Sequence, residues 1–504
     1  MSALQPPTPV RIQRLTLRDF RAFPGPATAS FDLGGRNLLV YGENGSGKSS
    51  LFHALDGFFS FKPAGSLRVH KNVFSGRPDA DCWVEVEFAD GTPAVAWTVG
   101  SHPGSVHSAT ADVRVKEAAL RRACLDYRAL LATNYKQGDG EVNLFEIAIE
   151  QLLRDYPATV SGGTVSTLGE LWAQVQGSMP HKQTATTISR INQACAEFNT
   201  AFRAALPVLV PLVNDLMRDL GWSDVELRGL QTPGLTYNAA WYKSDRIVQG
   251  RTLTPELRFR THALTRPQLF LNEARLSALA LALYLAGRLA STPTATATAL
   301  KLLVLDDVLI GLDHSNRLPV LDVLTRRFAD WQVVLLTHDR NWFDLARSHL
   351  PETQWQCVEV YEGDSAAQAP MPTIRITQNR PARALLQKAK DLVQSPYVEA
   401  AANYARQAFE LGARTACELK RIKMRYCLDP KEHQAQDFLD QLKLWQATGT
   451  VKQAEWDAAM NRLGTLKNVV LNPYSHPNSP NIPKSEVEQA IDAVERFLDL
   501  VAQR

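Results

Sequence analysis

One stretch of the sequence has the residue types and spacing of a phosphate-binding loop. It fits the pattern G-x-x-x-x-G-K-[ST], and it lies between an apolar segment predicted to be a strand and a segment with helical spacing. Glycines let backbone N–H groups turn towards phosphate oxygens, and the N-terminus of the following helix adds a favourable dipole. The residues predicted to bind a nucleotide are Gly42, Glu43, Asn44, Gly45, Ser46, Gly47, Lys48, Ser49 and Ser50.

Two side chains of this loop have specific predicted roles. Lys48 would place its positive charge at the β- and γ-phosphates of ATP, and the Ser49 hydroxyl would bind Mg²⁺. The alternative is a glycine-rich turn that binds nothing. The strand–loop–helix order favours nucleotide binding, so the sequence predicts ATP and Mg²⁺ as ligands.

A second candidate group is the pair Asp306 and Asp307, which follows the four apolar residues of Leu302–Leu305. A buried strand would deliver Asp306 to the carboxyl edge of a parallel sheet, where a carboxylate can hold Mg²⁺ through water. Asp307 would then face the attacking water as general base. A strand that ends in two aspartates is often only a capped turn, but its position after the phosphate loop favours the functional interpretation.

The elements around these groups indicate an α/β core. A long apolar helix is predicted over residues 274–289, and helical spacing dominates from residue 143 to about residue 220. Strands that alternate with helices are typical of a largely parallel sheet. Strands are predicted over residues 11–20, 28–33, 37–41, 83–88, 94–99, 253–260, 302–305 and 333–336.

The bulk composition limits the class of protein. Of the 504 residues, 45% are hydrophobic and 21% are charged, which is typical of a globular chain with about two to four domains. A net charge of +3 gives no global field for nucleic acid or membrane. The 6 cysteines form no C-x-x-C pair, and the longest apolar stretch, Leu276–Leu285, is too short to span a bilayer. A cytoplasmic protein without a signal peptide or membrane partner is expected.

The order of several motifs resembles the ATP-binding-cassette ATPases of the SMC and RecF branch. Residues 306–313 match the Walker B motif and D-loop of that family, and residues 333–338 match its strand that ends in the switch histidine. Residues 17–23 look like the first strand of the branch. Residues 271–275, followed by an apolar helix, lie where the family has its signature motif.

The resemblance implies further site residues. His338 would contact the γ-phosphate, Asp313 would lie at the seam of an ATP-bound dimer, and Gln137 would be the Mg²⁺ ligand of the Q-loop. Asn272 and Arg275 of the signature would face the nucleotide of a partner subunit. The alternatives are an ordinary histidine at a strand end and, for Gln137, a polar loop without a function.

Two departures from the family pattern bear on activity. Asn272 takes the place of the usual Ser of the signature, and Ala274 and Arg275 replace its Gly and its Gln or Glu. Asn is a good helix N-cap, but the loss of Gly hinders close approach of the backbone to a partner's γ-phosphate. Asp307 stands where most members have Glu, and its shorter side chain implies slow ATP hydrolysis.

The predicted fold class is α/β, with a P-loop ABC-type ATPase head that carries a short helical insertion and is followed by an all-α C-terminal bundle. The insertion is far shorter than the arms of SMC proteins and has no sustained heptads. The predicted regions are an N-terminal lobe (1–142), the insertion (143–252), a C-terminal lobe (253–365), a linker (366–379) and a helical domain (380–504).

The helical domain looks somewhat like HEPN-type bundles, many of which are ribonucleases. Their Arg-x(4–6)-His spacing is absent, because seven residues separate Arg425 from His433, and Arg462 lies farther still from His476. The basic run Lys420–Arg425 is either a solvated helix end or a contact for phosphate or a partner.

The resemblance is closest to short-armed SMC-like ATPases of bacterial anti-phage systems such as Septu, and it rests on residues 271–277 and 305–317. It implies a homodimer or higher oligomer that controls a separate nuclease or toxin subunit. Two alternatives stay open. One is a DNA-repair or chromosome-maintenance ATPase that binds DNA on its head dimer, and the other is a chain whose own helical domain is a nuclease.

Overall fold

The computed structural model describes most of the chain, and it divides the chain into two compact units, Met1–Ile376 and Thr377–Arg504. The division lies within the stretch predicted to be a linker. Gln137 lies outside the described residues. The residues not described are 1–8, 106–110, 120–122, 129–142, 155, 160–164, 243–244, 291–298, 364–369, 378–380, 395–397, 425–434, 448–449, 468–482 and 504.

Strands alternate with helices along the first unit. The described strands are β1 Ile12–Phe20, β2 Phe23–Asp32, β3 Asn37–Gly42, β4 Trp83–Phe88, β5 Val95–Thr98, β6 Ala123–Asp126, β7 Pro157–Thr159, β8 Val165–Thr167, β9 Val225–Gln231, β10 Thr236–Tyr237, β11 Val248–Gln249, β12 Thr254–Phe259, β13 His262–Leu264, β14 Leu302–Asp306, β15 Gln332–Thr337, β16 Trp355–Tyr361 and β17 Thr373–Thr377. Every strand that the sequence predicts is present, although β2 begins at Phe23 rather than at residue 28.

The helices of this unit connect and cover the strands. They are α1 Lys48–Phe58, α2 Val113–Ala119, α3 Phe145–Ile147, α4 Leu168–Gly177, α5 Ala185–Asp219, α6 Pro267–Phe270, α7 Glu273–Ala290, α8 His314–Arg327 and α9 Arg340–His349. Short 3₁₀ segments cover Ala64–His70 and Asp79–Asp81, and a π-helical segment covers Ala148–Leu152. The apolar helix predicted over residues 274–289 is α7.

The centre of the first unit is a six-stranded sheet in the order β17-β16-β3-β15-β14-β6. From β16 to β6 every neighbouring pair is parallel, which confirms the predicted α/β core. All residues of β14 and β15 are buried because both faces of the sheet are covered. Parallel pairing brings the carboxyl ends of β3, β15 and β14 to one edge, where ligands bind in open α/β sheets.

Alternate residues of the parallel strands contribute to two separate apolar layers. In β3, Leu38 and Val40 belong to a layer that also contains α1 and the antiparallel sheet β2-β1-β4-β5. Leu39 and Tyr41 belong to the opposite layer, which contains α5, α7, α8 and α9. Successive side chains along a strand point to opposite faces of the sheet, which produces this division. The two layers pack against both faces and hold the strands that end at the carboxyl edge.

The insertion is a compact subdomain around the long helix α5. Asn214 of α5 exchanges two hydrogen bonds of 2.8 Å with the backbone of Leu227, and Asn199 exchanges bonds of 2.9 and 2.6 Å with the backbone of Leu235. These contacts hold α5 along the neighbouring chain, so the helix does not project as an arm. Strands β7–β11 also lie in this region, where the sequence predicts mainly helix, and β9 is stabilised by long-range pairing with β12.

Among the described residues, only α5 is long and apolar enough to cross a membrane, by length and composition alone. Twelve of its residues are buried, including Phe198, Leu209 and Met217. Its apolar face packs in the core of the first unit with α7 and β9. That burial is typical of the core helix of a folded domain.

The described part of the second unit is helical after β17. Its helices enclose a core of their own, in which small residues such as Ala401, Ala405 and Ala408 let α11 lie close to its neighbours. This confirms the predicted helical C-terminal region. The helices are α10 Pro381–Val393, α11 Val398–Leu419, α12 Ala435–Leu444, α13 Gln453–Leu466 and α14 Lys484–Ala502.

Candidate nucleotide site

The phosphate loop joins β3 to α1, and its backbone requires glycine at two positions. Gly47 is the N-cap of α1 and has a φ of +102°, a conformation that L side chains rarely adopt. A Cβ atom at Gly42 would lie 2.7 Å from the carbonyl oxygen of Val360 and 2.3 Å from Ser46 Oγ. The path of the loop therefore depends on these glycines even before a ligand is considered.

Lys48 lies inward at the start of α1, and only 6% of the residue is exposed. Its ammonium group donates hydrogen bonds to the carbonyl oxygens of Gly42 (2.5 Å) and Glu43 (3.1 Å). Burial lowers the pKa of Lys48, and the negative charges of Asp307 and Asp306 oppose that shift. The ammonium group thus lies over its own loop, beside two carboxylates, where phosphate oxygens could replace the loop carbonyls.

The other loop residues differ in exposure. Glu43, Asn44, Gly45 and Ser49 are exposed, so the Ser49 hydroxyl is accessible at the first turn of α1. Ser46 is buried, and its Oγ atom has no hydrogen-bond partner among the described residues. The Ser50 hydroxyl accepts a hydrogen bond of 3.2 Å from the N–H of Ala22, which fixes the loop to the turn between β1 and β2.

Asp306 is the last residue of β14 and is buried. It is 5% exposed, and its Oδ1 atom has no hydrogen-bond partner among the described residues. Parallel register places it opposite Asp126 of β6, a residue that sequence analysis missed. Burial, reinforced by the charge of Asp307, raises the pKa of Asp306 to about 7. A buried carboxylate with an unused oxygen is a favourable partner for a cation.

Asp307 and His338 lie in contact at the ends of neighbouring strands. Asp307 Oδ1 accepts a hydrogen bond of 2.9 Å from the N–H of His338 and lies 2.9 Å from Nδ1 of its ring. Asp307 has a φ of +53°, which is uncommon for a residue other than glycine. The two residues line a cavity of about 70 Å³, large enough for several water molecules. The structure thus brings together the predicted base and the predicted switch histidine.

The chemistry of these residues fits a magnesium ion that arrives with a nucleotide. Among the described residues no group of three or more His, Cys, Asp and Glu could hold a metal ion by itself. Mg²⁺ in nucleotide sites takes most of its ligands from water and phosphate and needs only one or two from the protein. The unpartnered Oδ1 of Asp306 and the exposed hydroxyl of Ser49 meet that need, whereas Gln137 is not described.

The signature region forms the start of α7. Asn272 Oδ1 accepts a hydrogen bond of 3.1 Å from the N–H of Arg275, so Asn272 acts as a helix N-cap. The Arg275 guanidinium group lies 2.8 Å from Asp224 Oδ2 and 4.9 Å from the centre of the Trp222 ring. Arg275 is therefore held within its own chain, and its role towards a second subunit stays a prediction.

The D-loop, residues 308–313, leads from Asp307 to α8. Asp313 is exposed at the N-cap of α8 without a side-chain capping bond. Sequence analysis missed Arg317, four residues further on, which lines the same cavity as Asp307 and His338. In the sequence Arg317 is only the last residue of the stretch 305–317, and its contacts cannot be inferred there because its partners belong to two different loops.

A comparison with known protein families finds a match in the N-terminal part of the chain. Residues 14–95 match a family described as an AAA domain, and this stretch includes the whole phosphate loop. No curated protein matches the chain.

Several solved structures match most of the chain at low sequence identity. RecF with ATP, a recombination mediator protein of the RecFOR pathway, is 11% identical, with a TM-score of 0.44 over 75% of this chain and 100% of that chain. The Smc head domain of Pyrococcus furiosus with the C-terminal domain of ScpA is 13% identical, with a TM-score of 0.38 over 76% and 100%. The SMC head domain of Thermotoga maritima is 14% identical, with a TM-score of 0.33 over 73% and 99%.

Proposed function

We propose that the protein is an ATP-binding and ATP-hydrolysing switch that acts when two copies close around ATP. One observation carries this proposal. The Lys48 loop, the Asp306 carboxylate and the Asp307–His338 pair converge on the carboxyl edge of the parallel strands, and Asp306 Oδ1 has no hydrogen-bond partner among the residues that the structure describes. A glycine-rich turn without a ligand does not need two carboxylates and a histidine beside a buried lysine.

The binding step follows from the contacts of Lys48. Phosphate oxygens replace the carbonyls of Gly42 and Glu43 as acceptors, and they offer a full negative charge to an ammonium group that is partly desolvated. The N–H groups at the start of α1 bind the same phosphates. Ser49 and Asp306, with Gln137 as a third candidate, would hold Mg²⁺, which neutralises charge on the phosphates.

The hydrolytic step uses Asp307 as the base. Its Oδ1 atom accepts the hydrogen bond of the His338 N–H and contacts Nδ1 of the ring. When His338 turns towards the γ-phosphate, Asp307 is released to orient a water molecule and accept its proton. The nucleotide thus controls the base through the histidine. The short side chain of Asp307 and the signature without glycine favour slow turnover.

Closure of two copies would place Asn272 and Asp313 of one subunit at the nucleotide of the other. Asn272 caps α7, so the positive end of that helix dipole lies beside Asn272 and favours an anion there. Both residues belong to surfaces that a single chain leaves open. The second subunit therefore completes the site.

The basic test compares ATP binding with ATP turnover in purified protein. Wild type should bind ATP and release phosphate slowly, and Asp307→Asn should bind ATP without turnover. Asp322→Asn is a matched control, since the Asp322 side chain is half-exposed on α8 and its carboxylate contacts His349 on the surface. A wild-type protein that neither binds nor hydrolyses ATP would remove the proposal.

We infer further that the switch controls a partner nuclease or toxin in anti-phage defence. The resemblance over residues 271–277 and 305–317 supports this role. The compact insertion also supports it, because α5 is held against β9 and cannot serve as a DNA-tethering rod. Cells that carry the gene and its neighbours should resist phage, and Lys48→Ala should remove the resistance. Equal plaque counts in the two strains would contradict the defence role.

Repair or chromosome maintenance is tested separately. Under the defence role, filter binding with duplex DNA should show no ATP-dependent retention. Retention that requires ATP and is lost in Lys48→Ala would favour the repair alternative. Purified chain that degrades RNA or DNA would instead place a nuclease in the helical unit.

A further inference from the structure

We propose that Arg317 is a positioning residue that couples the D-loop to the switch histidine. The inference rests on the proposed ATPase function and names the connection within one chain by which closure at the D-loop reaches His338. Arg317 itself contacts neither Asp307 nor His338 through any hydrogen bond found in the described chain.

The guanidinium group of Arg317 joins two loops. Its Nε donates a hydrogen bond of 2.8 Å to the carbonyl oxygen of Leu312 in the D-loop. Its Nη1 donates a bond of 2.6 Å to Oδ2 of Asp339, the residue directly after His338. Only 12% of the Arg317 side chain is exposed. One side chain thus ties the last part of the D-loop to the end of β15.

Asp339 passes the constraint to the switch. Its Oδ1 atom accepts a hydrogen bond of 3.0 Å from the N–H of Trp342 and caps α9. Trp342 is 1% exposed, so the first turn of α9 is anchored in the core. With Asp339 held from both sides, the backbone of His338 is held where its N–H reaches Asp307. A shift of the Arg317 group would therefore move His338 relative to Asp307.

The other end of the connection is the signature helix. A Cβ atom at Gly311 would lie 2.4 Å from Oγ and 3.1 Å from Cβ of Ser277 on α7. The backbone of Gly311 in the D-loop thus lies in close contact with Ser277 of α7. A partner subunit that displaces the signature region or the D-loop would displace Leu312, and Arg317 would transmit the change to Asp339.

The geometry of the contact requires arginine in particular. Nε and Nη1 lie on the same planar group, so the two bonds fix the distance between the two loops. A lysine has a single nitrogen on a flexible stem, so it cannot hold two acceptors at the fixed separation that the guanidinium group imposes. Since the pair is partly buried, loss of either partner also leaves a charge without its counter-ion.

Steady-state kinetics test the coupling. Arg317→Ala should lower kcat about tenfold, within the roughly 2–30-fold range of measured coupling residues, while the Kd for ATP stays within about twofold. Arg317→Lys should restore little of kcat. Asp339→Asn keeps the helix cap, since Asn caps well, but removes the counter-charge. The double variant Arg317→Ala with Asp339→Asn should be no slower than Arg317→Ala alone.

Arg326→Ala is the matched control, because Arg326 lies on the same helix and, among the described residues, donates a hydrogen bond only to the carbonyl of Asp322. It should leave kcat unchanged. A purely structural role for Arg317 would lower ATP affinity and kcat together, or would make the two substitutions additive. Either result, or an Arg317→Ala variant with wild-type kcat, overturns the proposal. If Arg317→Ala fails to fold, Arg317→Lys gives the same comparison.

Hydrogen exchange of the ATP-free protein tests the link without any ATPase readout. Gly311→Ala disturbs the D-loop, and it should raise amide exchange at residues 338–343 when Arg317 is present. In an Arg317→Ala background the same change should add nothing there. Deprotection confined to the D-loop would overturn the coupling. A wild type without ATPase activity would end the proposed function, but the exchange result would still decide the role of Arg317.

Discussion

The carboxyl edge of the central sheet and the C-terminal helical unit are built in opposite ways. The sheet edge buries Lys48 and Asp306 and holds Asp307 at positive φ, and Asp306 Oδ1 and Ser46 Oγ find no hydrogen-bond partner in the part of the chain that the structure describes. In the described part of the helical unit, buried residues are almost entirely apolar, and no buried side-chain polar atom lacks a partner. One region is arranged for charge, and the other is arranged for packing.

This difference indicates that the sheet edge is the functional site. Buried charges, unused polar atoms and an unusual backbone conformation cost stability and persist where function needs them. Among its described residues the helical unit has a buried charge at Lys467 and a positive φ at Arg421, but it has no buried side-chain polar atom without a partner. It therefore fits a structural or partner-binding role better than a catalytic one. Lys420, the first residue of the basic run, donates a hydrogen bond to the carbonyl of Gln503 and lies over the Trp445 ring.

The largest expected effect is at the sheet edge. Lys48→Ala removes the charge that phosphate oxygens would bind, so the affinity for ATP should fall at least about a hundredfold, or roughly 3 kcal/mol. Isothermal titration calorimetry measures this directly. Lys452→Ala is the control, because its side chain is 80% exposed in the helical unit. Unchanged ATP affinity in Lys48→Ala would show that the loop is not the phosphate site.

The helical unit should respond only in stability. Trp456 is fully buried and donates a hydrogen bond of 2.9 Å to the carbonyl of Leu442. Trp456→Ala should destabilise this unit by about 3–5 kcal/mol, and ATP affinity should not change. Urea unfolding followed by circular dichroism measures the loss. Trp241→Ala, at a site 88% exposed, should have almost no effect, and a loss of ATP binding in Trp456→Ala would break the contrast.

Asp306 should make the stability of the metal-free protein depend on pH. Its pKa is about 7 in the folded chain against 3.8 ordinarily, so between these values the folded state holds a proton that the unfolded state lacks. The free energy of unfolding should therefore fall as pH rises from about 4 to 7, by up to a few kcal/mol, and level off above. Asp306→Asn should lack this slope. Parallel pH profiles for the two proteins would contradict the assigned burial of the charge.

The smallest effect belongs to the signature helix. Asn272→Ala removes the N-cap of α7 and should cost about 1 kcal/mol of stability. Asn272→Asp keeps a capping oxygen and should stay close to wild type. Thermal unfolding of the three proteins measures the difference. An alanine variant as stable as wild type would mean that the bond to Arg275 contributes nothing.

Local patterns allowed the sequence to predict the phosphate loop, the strands around it and the ends of β14 and β15. Each of these depends on residues that are close in the chain, such as the apolar run before Asp306. Asp126 and Arg317 could not be found in this way. Asp126 meets Asp306 only through parallel register between distant strands, and Arg317 acquires its meaning from Leu312 and Asp339 together.

In the insertion, too, local sequence patterns predict only part of the structure. Its long helix is visible in the sequence as an apolar period, but the short strands β7–β11 are not, because few residues define each one. Pairing of β9 with β12 crosses the boundary predicted at residue 252. Arg275 gives a further example, since nothing in the local sequence indicates its bond to Asp224.

The oligomeric state of the Asp307→Asn variant in the presence of ATP and Mg²⁺ tests the central claim most directly. This variant should bind ATP but not hydrolyse it, so it should accumulate as a closed dimer or larger particle by size-exclusion chromatography with light scattering. The same variant should return to the smaller form without ATP. The Lys48→Ala variant should keep the same mass with and without ATP. A strictly monomeric Asp307→Asn with ATP bound would contradict a switch that acts by closing two copies.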